Sequence, residues 1–181
     1  SSRILAEFCR TYPHLAGARS ALVQAAEVLS TCAVSDGIIL VCGNGGSAAD
    51  SQHIVAELVK GFALRKKLSP ALRRRLVQEG LSPQLAGRLQ RGIRAVSLSA
   101  HAASLTAILN DQNPSLIFAQ QVCAYGRSGD VLLALSTSGT SPDILAALQT
   151  ARALGLTTVG ISGGRRSPMD HLCDILIRVP A

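Results

Sequence analysis

A run of small hydroxyl side chains at residues 136–141, with the sequence STSGTS, carries the clearest chemical signal of the chain. It holds five hydroxyls around one glycine and stands directly before a predicted helix. A helix N-terminus presents unpaired N–H groups and the positive end of the helix dipole, and hydroxyls add donors without bulk. The run therefore suits a phosphate monoester, although an ordinary capped helix start would use the same residue types.

A second turn, residues 43–50 with the sequence GNGGSAAD, also stands between a predicted strand and a predicted helix. Its glycines, Gly45 and Gly46 among them, allow the backbone to approach a ligand closely. The turn is not a G-x-G-x-x-G fingerprint, and no acid is placed to bind a ribose. A dinucleotide is therefore a poor fit, and we expect no nucleotide cofactor.

The helix predicted after the second turn carries His53 and Glu57, which are four residues apart and share one face. Three interpretations of this pair stay open at the level of the sequence. It is a surface pair of no consequence, half of a metal site, or an acid/base pair. Because the helix begins at the presumed ligand turn, a functional role is favoured.

These residues lie in an alternation of strands and helices. Apolar runs typical of buried parallel strands occur at 37–42, 94–98, 130–135, 156–161 and 175–179. Helical patterns occur at 3–34, 48–62, 102–109, 116–125, 142–154 and 169–172. The order predicts one α/β domain over residues 1–181, a three-layer sandwich whose helices flank a central parallel sheet. Ligands of such sheets bind beyond the carboxyl ends of the strands, where both turns fall.

The alternation is interrupted at about residues 63–93, which we interpret as a basic helical insertion. Two Ser-Pro helix starts predict short helices at 71–78 and 84–91, arranged as a hairpin. Residues 60–94 hold ten Lys or Arg and one acid, so this segment carries the excess positive charge of a chain whose net charge is +7. Because only 3% of residues are aromatic, nucleic acid is an unlikely partner.

Composition also bears on location. Apolar residues make up 48% of the chain but come in runs too short to cross a bilayer. Glu7 and Arg10 interrupt the first residues, which lack the layout of a signal peptide. We therefore expect a cytoplasmic protein without membrane contact. The five cysteines form no C-x-x-C pair, so buried thiols are expected rather than disulfides or a cysteine metal site.

Residues 42–53, CGNGGSAADSQH, together with the run 129–141, resemble the signatures of the phosphoheptose isomerases of the SIS (sugar isomerase) family. The segments AEL at 56–58, Asn110-Asp111, and IRVP at 177–180 are similar to further motifs of that family. The resemblance covers most of the chain outside residues 63–93. It implies the flavodoxin-like sandwich of SIS domains.

The resemblance also implies an activity, the conversion of sedoheptulose 7-phosphate to D-glycero-D-manno-heptose 7-phosphate through an enediol. It implies that Glu57 is the base, that Asn44 contacts the sugar, and that His53 and Glu57 match positions that ligate zinc in some members. It further implies a homotetramer or homodimer. Its substrate and phosphate positions are Asn44, Gly45, Gly46, Ser47, Asn110, Asp111, Ser136, Thr137, Ser138 and Ser141.

Three features depart from the family pattern. A later helix of the family supplies a Gln and a His, which complete the acid/base and metal sets; those positions would follow Ala181, the last residue here. The segment 63–93 is longer and more basic than the usual connection. His101 stands where the family has an Asp that contacts substrate, which makes His101 either a substrate contact or a residue of a helix start.

Two further hypotheses therefore stand beside the heptose isomerase. One is an isomerase of another phosphosugar, which His101 and the insertion would support. The other is a non-catalytic SIS module, since relatives with similar motifs bind and regulate a replication-initiation protein. Retention of both His53 and Glu57 favours the enzyme.

Overall fold

The computed structural model describes residues 2–61 and 66–180, and in this part of the chain five parallel strands form one sheet. The strand order is β2-β1-β3-β4-β5. The strands are β1 (Ile39–Gly43), β2 (Ala95–Ser97), β3 (Val131–Ser136), β4 (Thr157–Gly163) and β5 (Ile175–Val179). All neighbouring pairs are parallel, so every carboxyl end meets the same edge of the sheet. The predicted parallel sheet is confirmed.

Every residue of β1 and β3 is buried, as expected for central strands covered on both faces. Their side chains alternate between two cores. Leu40 and Leu132 point to a core that contains Phe118 and Ile144, while neighbouring residues such as Ile39 point to a core on the opposite face. The two cores confirm the predicted three-layer sandwich.

Nine α-helices surround the sheet in the described residues. They are α1 (Ser2–Thr11), α2 (Arg19–Val34), α3 (Gly46–Val59), α4 (Pro70–Gln78), α5 (Pro83–Arg88), α6 (Ala102–Asp111), α7 (Ala119–Tyr125), α8 (Pro142–Ala153) and α9 (Met169–Leu172). Helices α7 and α8 cover one face, whereas α2 and α3 cover the other. Within the described ranges, no helix is both long and apolar enough to cross a membrane.

The prediction of one continuous helix over 3–34 is wrong. Helix α1 ends at Thr11, and a 3₁₀ helix over Pro13–Ala18 separates it from α2. Tyr12 has φ −123° and ψ 71°, outside the helical region. The cause is Pro13, which has no N–H to donate and crowds the residue before it.

The predicted helix at 116–125 is shorter for a similar reason. A 3₁₀ turn over Pro114–Leu116 comes first, and α7 begins only at Ala119. The side chain of Asn113 accepts a 2.9 Å hydrogen bond from the N–H of Ser115 and thereby caps this turn. The helix predicted to reach Phe62 ends at Val59, and Phe62 itself lies outside the described residues.

The insertion forms two short helices, as predicted in its described part. Ser69 and Ser82 cap α4 and α5 by accepting from the N–H groups of Leu72 and Leu85. The second helix ends at Arg88 instead of 91, because Leu89 is extended and Gln90 pairs with Lys67 in an antiparallel bridge. The first residues of the predicted insertion, 63–65, lie outside the described ranges.

Candidate active site

A cavity of about 380 Å³ opens at the carboxyl edge of the sheet. Its lining comes from the first turns of α3 and from the residues that end β3, β4 and β5: Ser47, Asp50, Leu135, Ser136, Thr137, Ile161, Ser162, Gly163, Val179 and Pro180. This is the edge at which ligands bind in open α/β sheets. The cavity therefore brings together Ser47, Ser136 and Thr137 from the predicted site.

The glycine-rich turn after β1 positions the start of α3. A Cβ on Gly43 would lie 2.6 Å from the carbonyl oxygen of Ser47, so only glycine lets the helix begin this close to the strand. Gly45 has φ +54°, and no described atom lies within 4 Å of a Cβ placed on Gly45 or Gly46. The backbone of the turn therefore faces open space.

The hydroxyl-rich turn after β3 is organised by its own side chains. The Ser136 hydroxyl accepts a 3.1 Å bond from the N–H of Gly139 and lies 3.4 Å from the Ser141 hydroxyl. The Ser138 hydroxyl accepts from both the N–H and the hydroxyl of Thr140, at 3.3 and 3.0 Å. Ser138 and Ser141 are therefore held in the loop beside the cavity, although they do not line it.

Both helices that begin at these turns lack a side-chain cap within the described residues. Gly45 precedes α3 and Ser141 precedes α8, and neither makes a side-chain hydrogen bond to the first turn of its helix. An ordinary capped start would use the hydroxyl of Ser141 in that way. The uncapped N-terminus of α3 reaches the cavity through Ser47, whereas α8 begins beside the cavity without lining it. An uncapped helix N-terminus at a cavity favours an anion-binding site.

Sequence reasoning missed Asp143, which holds Asn44 in place. The side-chain amide of Asn44 donates a 2.8 Å hydrogen bond to the carboxylate of Asp143, which is buried in the first turn of α8. The bond ties the glycine-rich turn to the start of α8, which follows the hydroxyl-rich turn. The only sequence signal was an acid directly after Pro142 in a helix start, which the helix dipole alone would explain.

The second missed residue is Ser162, at the carboxyl end of β4. It pairs in register with Ser136, lines the cavity and is only 3% exposed. Its hydroxyl has no hydrogen-bond partner in the described part of the protein. A buried hydroxyl without a hydrogen-bond partner lowers the stability of the fold. Because the Ser162 hydroxyl lacks a partner in these described residues and lines the cavity, it is a candidate ligand contact.

His53 and Glu57 lie on the exposed side of α3. Asp50, His53 and Glu57 are spaced by three and four residues, so they form one stripe along the helix. Asp50 lines the cavity, and the stripe therefore runs from the cavity along α3. The sequence-based grouping of His53 with Glu57 agrees with this geometry.

A zinc site does not fit the described residues. Across residues 2–61 and 66–180, no three His, Cys, Asp or Glu side chains converge closely enough to hold a metal ion. His53 and Glu57 supply two ligands at most, whereas protein zinc sites use three or four. We therefore assign no chemical step to a metal.

Three predicted substrate residues lie on α6 or at its start, and they do not line the cavity. The ring Nδ1 of His101 accepts a 3.1 Å bond from the N–H of Ser104 and so caps α6. At the other end of this helix, the amide of Asn110 donates a 2.7 Å bond to the carboxylate of Asp111. The sequence allows His101 to be interpreted either as a substrate contact or as a residue of a helix start. The hydrogen bond with Ser104 supports the second interpretation.

The Cys42 thiol lies buried under the site, at the end of β1. Burial raises the pKa of this thiol, and the charges of Asp143 and Cys173 raise it further. The thiolate form is therefore scarce at neutral pH, which excludes Cys42 as a nucleophile. Cys32 is buried as predicted, whereas Cys123 is exposed.

Comparisons with known proteins agree with this geometry. The SIS domain family model matches residues 14–81 and 76–163. The phosphoheptose isomerase of Rhodospirillum rubrum is 36% identical over 178 residues, which cover 96% of this chain and 82% of that protein. The phosphoheptose isomerase of Desulfovibrio desulfuricans is 40% identical over 151 residues, or 83% of this chain. This second match spans only 60% of the Desulfovibrio protein.

A solved structure also relates this chain to the phosphoheptose isomerases. The phosphoheptose isomerase of Neisseria gonorrhoeae superposes with a TM-score of 0.72 and 31% sequence identity, and the match covers 99% of this chain and 85% of that one. Fold and sequence thus agree. The chain belongs to the SIS domain family, in its phosphoheptose isomerase group.

Proposed function

We propose that this chain is the catalytic domain of an aldose–ketose isomerase that converts sedoheptulose 7-phosphate to D-glycero-D-manno-heptose 7-phosphate. The observation that carries the proposal is the cavity at the carboxyl edge of the sheet, where serine and threonine hydroxyls meet the uncapped N-terminus of α3. Such a site suits a phosphate dianion. Membership in the phosphoheptose isomerase group supplies the sugar.

The phosphate is proposed to bind between the two turns. Ser47, Ser136 and Thr137 line this space directly, and the unpartnered hydroxyl of Ser162 offers a further donor. Asn44, held by Asp143, lies in the turn that precedes Ser47, and its carbonyl oxygen can accept a hydrogen bond from a sugar hydroxyl. Hydroxyls and backbone N–H groups can bind the ester without a lysine.

The sugar would then extend along the acidic stripe of α3. Glu57 follows Ser47 by ten residues, which is about 15 Å of rise along the helix axis. Helical side chains lean toward the N-terminus, so the carboxylate reaches back toward the cavity. A seven-carbon chain that is anchored by its phosphate can cover most of the remaining distance. In this proposal C1 and C2, the far end of the sugar, lie near Glu57.

In this mechanism the Glu57 carboxylate takes a proton from C1 of the ketose. The C1–C2 bond becomes double as the C2 carbonyl becomes a hydroxyl, which gives the enediol. Return of the proton to C2 and loss of the O1 proton yield the aldose, so no oxidant or reductant is consumed. The family resemblance assigns the transfer of the hydroxyl proton to a His on a later helix of the family.

His53 and Glu57 are exposed to solvent in the single chain, which is relevant to the number of subunits in the enzyme. Proton transfer from carbon benefits from a site that excludes water. We therefore infer that the enzyme is a homotetramer or homodimer in which a neighbouring subunit covers this face of α3. A cytoplasmic location is part of the same proposal. A zinc ion at the positions of His53 and Glu57, as in some members of the family, would require ligands beyond the described residues.

An isomerase of another phosphosugar is the second candidate, and the segment 63–93 favours it, because by the family resemblance this segment is longer than the usual connection. The test is incubation of the full-length protein with sedoheptulose 7-phosphate, with added zinc or a chelator, while NMR follows the product. The same assay is run with five- and six-carbon ketose phosphates. Preferential conversion of the heptose supports the proposal. Conversion of another sugar alone, or binding without conversion, would replace it by the second candidate or by a regulatory module.

A further inference from the structure

The basic insertion contains a cleft that the proposed isomerase reaction does not use. It has a volume of about 590 Å³ and lies between α4 and α5. The face of α4 that lines the cleft includes Pro70, Arg74 and Val77, and α5 contributes Ala86 and Gly87. Its lining residues are all different from those of the cavity at the sheet edge. A cleft of this size is in the range of small-molecule sites.

Backbone contacts fix this cleft to the domain. Lys67 and Gln90 form an antiparallel bridge, and the N–H of Arg91 donates a 2.8 Å bond to the carbonyl of Lys66. The N–H of Ile93 then donates a 2.9 Å bond to the carbonyl of Leu58 at the end of α3. The hairpin is therefore closed at its base and attached to the body of the protein.

The walls of the cleft carry three cations, Lys67, Arg73 and Arg74. The guanidinium of Arg73 lies against α5, with its Nη2 atom 3.2 Å from the position of a Cβ on Gly87. The ion pairs found in the described residues are Arg94–Asp36, Arg152–Asp174 and Arg178–Asp170, so none of them neutralises this cleft. Three positive charges that share a cleft without a carboxylate favour an anionic ligand.

The rest of the lining is apolar. Leu68, Val77 and Leu89 contribute to it, and Leu89 is 46% exposed. Burial of such surface under a ligand is favourable, and a bare inorganic anion would leave it uncovered. No aromatic residue occurs at positions 66–94, so stacking on nucleic acid bases has no partner here.

We propose that the cleft between α4 and α5 binds a small amphipathic anion, a phosphate or carboxylate carried on an apolar or ring-shaped body. The Arg73 and Arg74 guanidinium groups bind the charged group, and Val77 and Leu89 cover the apolar body. The site is separate from the isomerase cavity and does not depend on the proposed reaction.

The test uses isothermal titration of the full-length protein with 1-naphthyl phosphate, in the presence of saturating sedoheptulose 7-phosphate to fill the isomerase cavity. We expect saturable binding, and affinities weaker by about tenfold or more for inorganic phosphate and for neutral 1-naphthol. Absence of saturable binding would overturn the proposal. Equal binding of inorganic phosphate would overturn the role of the apolar wall.

The matched variants lie on the same helix. Arg73→Gln combined with Arg74→Gln should weaken binding of 1-naphthyl phosphate by about tenfold or more, because charge-assisted bonds are lost. Arg75→Gln, next to them but outside the cleft lining, should bind like the wild type. An equal loss in Arg75→Gln would attribute the binding to net charge alone and contradict a cleft.

Two further readouts keep the test decisive. Raising the KCl concentration should weaken binding by the wild type, since the contacts are ionic, and a salt-independent affinity would contradict the role of the cations. Light scattering should give the same mass for the wild type and the double variant. A change in mass would identify the cleft as an interface between copies of the chain and overturn the small-ligand site.

Discussion

The carboxylate of Asp143 accepts a 2.8 Å hydrogen bond from the side-chain amide of Asn44, 99 residues earlier in the chain. Asn44 belongs to the turn after β1, and Asp143 lies in the first turn of α8. The bond therefore joins the turn after β1 to the start of the helix that follows the hydroxyl-rich turn. Because one N–H of the Asn44 amide is engaged by Asp143, the carbonyl oxygen and the second N–H of Asn44 are left for a ligand.

Asp143→Ala should weaken substrate use. Loss of the carboxylate leaves Asn44 unoriented and removes an acid from a helix N-terminus, so we expect about a tenfold lower kcat/KM and a loss of about 1–2 kcal/mol of unfolding free energy. Steady-state kinetics and urea unfolding measure both. Asp143→Asn keeps an acceptor for Asn44 and should recover much of the activity. Wild-type kcat/KM in Asp143→Ala would show that Asn44 needs no such support.

Ser162→Ala should have opposite effects on stability and on binding. Its hydroxyl is buried without a partner in the described residues, so removal should raise the unfolding free energy by about 1 kcal/mol. The same change should weaken phosphosugar binding by about tenfold in calorimetry, because a donor to the phosphate is lost.

Ser167→Ala is the control for this pair of effects. Ser167 is also buried with an unpartnered hydroxyl in the described structure, but it does not line the cavity. The Ser167→Ala variant should therefore have a higher unfolding free energy than the wild type and bind phosphosugar with wild-type affinity. A loss of affinity in Ser167→Ala equal to that in Ser162→Ala would mean that repacking under the loop, and not a ligand contact, explains both.

Gly139→Ala should disrupt the hydroxyl-rich turn. Gly139 has φ +66°, and a Cβ there would stand 2.2 Å from the Ser167 hydroxyl oxygen, so the loop must move. We expect a loss of about 1–3 kcal/mol in stability and a marked loss of phosphosugar affinity. Gly80→Ala is the control, since Gly80 has φ +94° in open space on the hairpin. If both variants bind phosphosugar equally well, the conformation of the turn does not matter for binding.

Arg178→Met should change the acid sensitivity of the fold. The Arg178 guanidinium donates to the carboxylate of Asp170 and to the carbonyl of Gly163, which lines the cavity. The hydrogen bond from Arg178 holds the pKa of Asp170 below its ordinary value of 3.8. The charged carboxylate thus stabilises the folded state above pH 3.8, and this contribution disappears as pH falls through the lowered pKa.

Thermal unfolding across pH measures this effect. Arg178→Met should be less stable than the wild type at neutral pH, and the difference should shrink at acid pH, where Asp170 is protonated in both proteins. Arg152→Met, which removes the more exposed pair with Asp174, is the comparison. A difference between Arg178→Met and wild type that stays constant down to acid pH would contradict an ionic role for Asp170.

The sheet and its two ligand turns could be predicted because their signals are local. Fully buried parallel strands are continuous apolar runs, as in β1 and β3, and each of these runs ends in a polar turn that starts a helix. The caps Ser69 and Ser82 were likewise visible as Ser-Pro pairs. Pro13 is also a local signal of a break, although the helical periodicity on both sides of it favours one continuous helix.

The rest of the site depends on contacts between distant residues. Asn44 and Asp143 meet only because β1 and β3 are neighbours in the sheet, and nothing near either residue indicates the other. Ser162 lies in the cavity wall because it pairs in register with Ser136 on the adjacent strand. His101 was ambiguous for a different reason, because a side chain at a helix start can cap the helix or contact a ligand, and only the structure shows the cap.

The central claim, that Glu57 moves a carbon-bound proton of a heptose phosphate, is tested most directly by comparing wild type and Glu57→Gln as full-length proteins with sedoheptulose 7-phosphate. NMR follows product, and calorimetry follows binding. The account predicts that the wild type forms D-glycero-D-manno-heptose 7-phosphate, while Glu57→Gln binds the sugar phosphate with similar affinity but forms product at least about a hundredfold more slowly. Equal turnover by the two proteins would remove Glu57 from the mechanism and contradict the account.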